Sequence, residues 1–68
     1  MHTKKAVLDQ AADSIRSAGY DPYAQLYGYL STGNDSYITR HGNAREIVCH
    51  TDKNALEAYL ILLKANNL

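Results

Sequence analysis

Tryptophan and phenylalanine are absent from these 68 residues, and cysteine, proline and methionine occur once each. The single thiol, Cys49, excludes an intramolecular disulfide, and no Cys-x-x-Cys or His-x-x-x-His spacing offers a structural zinc. Net charge is also missing, because seven Lys and Arg balance seven Asp and Glu. That argues against non-specific binding to nucleic acid or acidic membranes, which needs an excess of cations. The longest apolar run, 58–63, is far too short to span a bilayer, which takes about 20 residues. The N-terminal MHTKKAVLDQAADSI takes up Asp9, Gln10 and Asp13 where a secretory segment would stay apolar. One unpaired thiol without an export signal points to a reducing cytoplasm.

A chain of this length is one domain, 1–68. Such a domain buries only about 60% of the surface its unfolded chain exposes, so its core needs a staple. With disulfide and metal excluded, oligomerisation is the staple that remains.

The apolar positions read as helices. Val7, Leu8, Ala11, Ile15 and Ala18 recur at spacings of three and four over 4–18, and Gly19 supplies a stop. Asp21-Pro22 opens a second helix over 22–31, with an acceptor for free amides and a first position that needs no N–H. Tyr23, Leu26, Tyr27 and Leu30 form its apolar side, and Gly33 closes it. Asp35 is expected to cap a turn over 36–39, and 40–43 reads as a loop. Asn43 with Glu46 follows capping-box logic before a short helix, 44–50. Thr51-Asp52 precedes a last helix over 53–65. A hairpin pairing 27–30 with 36–39 across the Gly-Asn-Asp turn is the competing reading of the centre. The fold expected is all-α, a small bundle of about four to five short helices, homodimeric.

The last helix is apolar nearly all round, which requires cover on more than one side. Leu56, Tyr59, Leu60, Ile61, Leu62 and Leu63 are therefore the expected dimer interface.

Candidate chemistry is sparse. Tyr20, Tyr23, Tyr27 and Tyr29 cluster between positions 20 and 29 and could stack a base, sugar or peptide. Their helical spacing favours packing instead. Cys49-His50 is a poor metal pair, because adjacent helical residues diverge by about 100°. Isolated in a helix, Gly28 marks a close approach. No Ser/His/Asp set, phosphate loop or paired-acid motif occurs. The expectation is no enzyme, no metal and no cofactor. Arg40, His41 and Arg45 form the basic cluster outside the N-terminus, where arginines beside a glycine-containing loop could hold an acidic group. The bland reading has both arginines solvated or paired with Asp35 or Glu46.

The stretch from Gly19 onward carries a specific combination of residues: Gly19-Tyr20 with Pro22, Gln25, Gly28-Tyr29-Leu30, Ser31 to Gly33, Asp35, Tyr37-Ile38, Arg40-His41 and Asn43-Ala44-Arg45. This combination resembles the IreB-type regulatory phosphoproteins, small cytosolic proteins of Gram-positive bacteria; the first helix agrees in pattern only. The resemblance implies an all-α dimer without enzymatic activity, phosphorylated by a transmembrane Ser/Thr kinase with extracellular penicillin-binding-type modules. It also implies a role in cell-wall synthesis and cephalosporin resistance, partly through regulated proteolysis of an early peptidoglycan enzyme. Members of that family carry an N-terminal tail with the phosphorylated threonine. Here Thr3 is the only threonine ahead of the first helix, so the chain reads as a divergent or N-terminally shortened member with Thr3 as the candidate phosphorylation site. The last two helices depart from the family at Cys49-His50-Thr51-Asp52-Lys53.

The leading functional expectation is a non-catalytic adaptor in the cytoplasm. It would be a homodimer that binds a regulatory protein, a Ser/Thr kinase among the candidates, through Arg40, His41 and Arg45, with neither nucleic acid nor membrane as partner. The alternative is a helix-turn-helix DNA-binding regulator whose reading helix, 44–50, offers only Arg45 as a base-reading cation.

Overall fold

The computed structural model describes residues 4–66, so Thr3 lies outside the described residues. The order of elements is α1 Lys4–Ser17, α2 Pro22–Thr32, a 3-10 turn Asp35–Tyr37, a second 3-10 turn His41–Asn43, α3 Ala44–Cys49 and α4 Lys53–Asn66. Among the described residues there is no strand, and the hairpin reading falls because α2 runs unbroken through 27–30.

Local chemistry sets the boundaries. At the end of α1 the amide of Tyr20 reaches the carbonyl of Ile15 and that of Gly19 reaches Arg16, a Schellman pair made possible by Gly19 at φ 90°. Asp21 caps α2 by accepting from the Tyr23 amide, with Pro22 in the first turn. Gly33, at φ 73°, closes α2 by donating to the Tyr29 carbonyl. Two expected caps differ. The first 3-10 turn is capped by Asn34, whose Oδ1 accepts from the Ser36 amide at 3.0 Å, and not by Asp35. Asn43 makes no capping bond, because it sits in the left-handed region at φ 63°, where its side chain does not reach the α3 amides. The backbone enters α3 through two consecutive left-handed residues, Gly42 and Asn43.

α1 packs chiefly on α3 and the 41–43 turn, and α2 on α4. The core joins Leu8, Ala11, Ala12 and Ile15 of α1 to Leu26, Ile38, Ala44, Val48, Leu56, Tyr59 and Leu63. Ile38 lies between helices yet is fully buried, so it anchors the long 33–43 connection. α1 is tied to α4 by the Tyr59 hydroxyl, which donates to Asp9 Oδ1 at 2.5 Å. Lys5 pairs with the other oxygen of Asp9 at 3.0 Å.

The tyrosines divide. Tyr59 is core, and Tyr23 and Tyr29 pack against it. Tyr27, expected on the apolar face, is 55% exposed and instead stacks on Tyr23 with ring centroids 6.1 Å apart. Gly28 does mark a close approach: the Tyr37 ring lies over it, and a β-carbon there would come within 2.5 Å of the ring.

The residues of the expected dimer interface divide by burial within the protomer. Leu56, Tyr59 and Leu63 are buried in the protomer's own core. Leu60 is half-buried, while Ile61 and Leu62 are 70% and 43% exposed. Helical geometry explains the division: α4 turns one side inward, so only part of its apolar circumference remains outside.

Candidate functional site

Residues 38–46 form a surface segment that several side chains hold in place. It starts from buried Ile38 and ends in α3, whose Ala44 and Val48 are buried. Between them the chain is tied down by side chains. Gln25, from α2, accepts from the Thr39 amide at 2.9 Å, and Arg45 Nε donates to the Ile38 carbonyl at 2.8 Å. The Arg45 amide reaches the Thr39 carbonyl at 3.1 Å, and the Thr39 hydroxyl accepts from the His41 amide at 3.3 Å. On the far side, Ser14 of α1 donates to the Gly42 carbonyl at 3.4 Å.

The three basic residues expected to share a role are thereby separated into two. Arg40 and His41 are exposed, whereas Arg45 is half-buried and bound to the loop's own backbone. Among the described residues the ion pairs are Lys5–Asp9 and Arg16–Asp13, so neither Asp35 nor Glu46 forms one with Arg40 or Arg45. All four nevertheless line one open concavity of about 360 Å³, with Asn43 and Cys49. This surface alternates in charge and keeps its arginines free of salt bridges. Chemically it suits an acidic side chain or a terminal carboxylate of another protein.

At the edge of this concavity Cys49 is half-buried next to Tyr29. Burial, then the adjacent thiol, pushes the Tyr29 phenol above its ordinary range. A second open concavity, of about 550 Å³, adjoins the first at Asn43 and Glu46, and there Gln10 and Ser14 of α1 line it with Glu46 and His50. Among the described residues no group of three or more His, Cys, Asp or Glu could hold a metal ion. No described helix is long and apolar enough to cross a membrane.

The geometry gives the DNA-reading alternative no support. The helix it would use has only six residues, two of them core, and its one cation is occupied by a backbone carbonyl. Gln25 stood out in the sequence only as part of the family resemblance and Thr39 not at all, since a clamp between positions 14 residues apart leaves no local pattern.

The clamp, the glycine under Tyr37 and the Arg40-His41 pair all fall within a stretch that a known family describes. The family model for the IreB regulatory phosphoprotein matches residues 1–63, so it takes in the whole of α1 as well as the segment from Gly19 onward. That span covers nearly all of the 68-residue chain, which therefore belongs to the IreB regulatory phosphoprotein family, a family described by its regulatory role.

Proposed function

We propose that this protein is a non-catalytic regulatory adaptor in the cytoplasm, and that it acts by presenting Arg40 and His41 to an acidic surface of another protein. The observation that carries the reading is the pinned loop: two exposed basic side chains leave a backbone held from α2, α3 and α1, without local carboxylates paired to them. A contact built on an ordered loop loses less conformational entropy on binding. The family's description as regulatory phosphoproteins supports a regulatory role. On this reading a Ser/Thr kinase acts upstream, with Thr3 as the acceptor, and the downstream process is control of cell-wall synthesis. The adaptor works as a homodimer, with Ile61 and Leu62 of each α4 covered by the second copy and Leu60 at the margin.

Affinity capture from cells that produce the protein tests the contact. Arg40→Ala with His41→Ala should lose the partner that the parent chain retains, at unchanged helicity and melting temperature. Full retention by the folded double variant would remove Arg40 and His41 from the interface. Arg45→Ala is not a clean test, because it also frees the Ile38 carbonyl.

A further inference from the structure

One peptide unit of the loop, joining Ile38 to Thr39, is held at both polar ends by side chains from different helices. Its carbonyl accepts from Arg45 Nε at 2.8 Å, and its N–H donates to Gln25 Oε1 at 2.9 Å; both bonds are partly shielded from water. A backbone N–H can only donate, so Gln25 must turn its oxygen toward it, which fixes the orientation of the amide. The Ile38 side chain is fully buried on one side of this unit. On the other side, the Thr39 carbonyl and hydroxyl are engaged by the amides of Arg45 and His41. Arg45 devotes its Nε to a neutral carbonyl although Asp35 and Glu46 line the same concavity. Rotation of this peptide plane would redirect everything that follows it, beginning with Arg40 and His41.

We infer that Gln25 and Arg45 are positioning residues: by gripping the Ile38–Thr39 peptide they set the direction in which Arg40 and His41 leave the surface. The functional half of this inference rests on the reading of Arg40 and His41 as the contact. Gln25 touches no partner itself. It replaces water as the acceptor for a half-shielded N–H and so orders the loop before binding.

The test uses the full chain and three variants. Gln25→Met keeps length and helix preference but removes the acceptor; Gln25→Glu keeps an oxygen. Arg45→Lys keeps the charge and loses the planar fork. Hydrogen exchange at the Thr39 amide and nitrogen-15 order parameters at Arg40 and His41 are read at unchanged helicity. Gln25→Met should speed Thr39 exchange roughly tenfold, the effect of losing one hydrogen bond of ordinary strength. It should also lower the order parameters at Arg40 and His41 to flexible values, below about 0.6. Gln25→Glu should restore both to the parent's values. Should Gln25→Met fail to fold, Arg45→Lys carries the order-parameter test with the same expected loss. Parent-like exchange and order in a folded Gln25→Met or Arg45→Lys chain would overturn the inference. Partner capture then separates it from the contact reading. Loss with Arg40→Ala and with Gln25→Met, and recovery with Gln25→Glu, supports positioning. Loss with Arg40→Ala but none with Gln25→Met refutes the functional half. Retention by Arg40→Ala refutes the contact reading itself, while the order measurement still decides whether the peptide is gripped.

Discussion

Replacing Gly28 by alanine should destabilise the protein, although the same change improves an ordinary helix. In a helix interior alanine is favoured over glycine by about 0.8–1.0 kcal/mol. Here the new β-carbon would meet Tyr37 Cδ1 at 2.5 Å, Cγ at 2.9 Å and Cε1 at 3.0 Å. Contact with Cγ means that the root of the ring must move as well as its tip. The backbone beneath the ring has little freedom, because the next residue is fully buried Ile38, whose peptide is held by Gln25 and Arg45. Overpacking of this kind typically costs about 1–3 kcal/mol, and swinging the half-exposed ring into water instead forfeits part of the about 1.5–3 kcal/mol of a buried large apolar side chain. The helix gain does not cover either cost. The net expectation is a loss of about 1 kcal/mol, or roughly 4–8 °C in melting temperature for a domain this small. With Tyr37→Ala in place the obstacle is gone, and Gly28→Ala should stabilise by up to about 1 kcal/mol. The two changes should therefore couple by about 2 kcal/mol in a double-mutant cycle. Urea or thermal unfolding at one fixed protein concentration reads all four chains, since association would otherwise shift the midpoint. Equal stabilisation by Gly28→Ala in both backgrounds would refute the packing of Tyr37 on Gly28.

Gly42→Ala should destabilise by more than Gly28→Ala, because it combines a left-handed φ of 58° with a collision against Ser14; Ser14→Gly should recover only the collision part, read by the same unfolding assay. The Asp9–Tyr59 tie predicts the pH dependence of stability. The Tyr59 hydroxyl, and then Lys5, hold Asp9 below its ordinary 3.8, so its contribution is present above that value and is lost as pH falls through the lower folded value. Burial, and then Asp9, push Tyr59 above its ordinary 10.0, so its contribution is full below about pH 10 and is lost as pH rises beyond it; Tyr59→Phe should flatten both limbs in pH-dependent melting curves. Leu62→Glu should shift sedimentation equilibrium toward folded monomer while the core stays intact, because Leu62 is 43% exposed in the protomer. A folded parent chain that is already monomeric at micromolar concentration would refute the homodimer.

The sequence was most legible where a residue acts on its own neighbours. Gly19 and Gly33 stop helices within one turn, and Asp21-Pro22 starts one, so all three could be placed from local chemistry. The α1 stripe was legible because a helix repeats its inward face; Ala12, four after Leu8 and three before Ile15, lies on that same face although the stripe was read without it. Asn43 was misassigned as a cap, since asparagine serves both as N-cap and as a left-handed residue and only tertiary context decides which. Leu56, Tyr59 and Leu63 recur at spacings of three and four, so the helical period already sets them on one side of α4 with Ile61 and Leu62 off it; what the sequence did not carry is that this side packs chiefly on α2. The candidate site was visible as a basic cluster. Its division into exposed Arg40 and His41 and a structural Arg45 was not, because the Ile38 carbonyl that binds Arg45 is presented by the folded loop.

An NMR titration of the nitrogen-15-labelled chain with the protein that it captures from its own cells locates the contact surface residue by residue. Amide shifts should concentrate at 39–46, led by Arg40 and His41, and should shrink in Arg40→Ala. Shifts centred elsewhere, with residues 39–46 unmoved, would contradict a contact through Arg40 and His41.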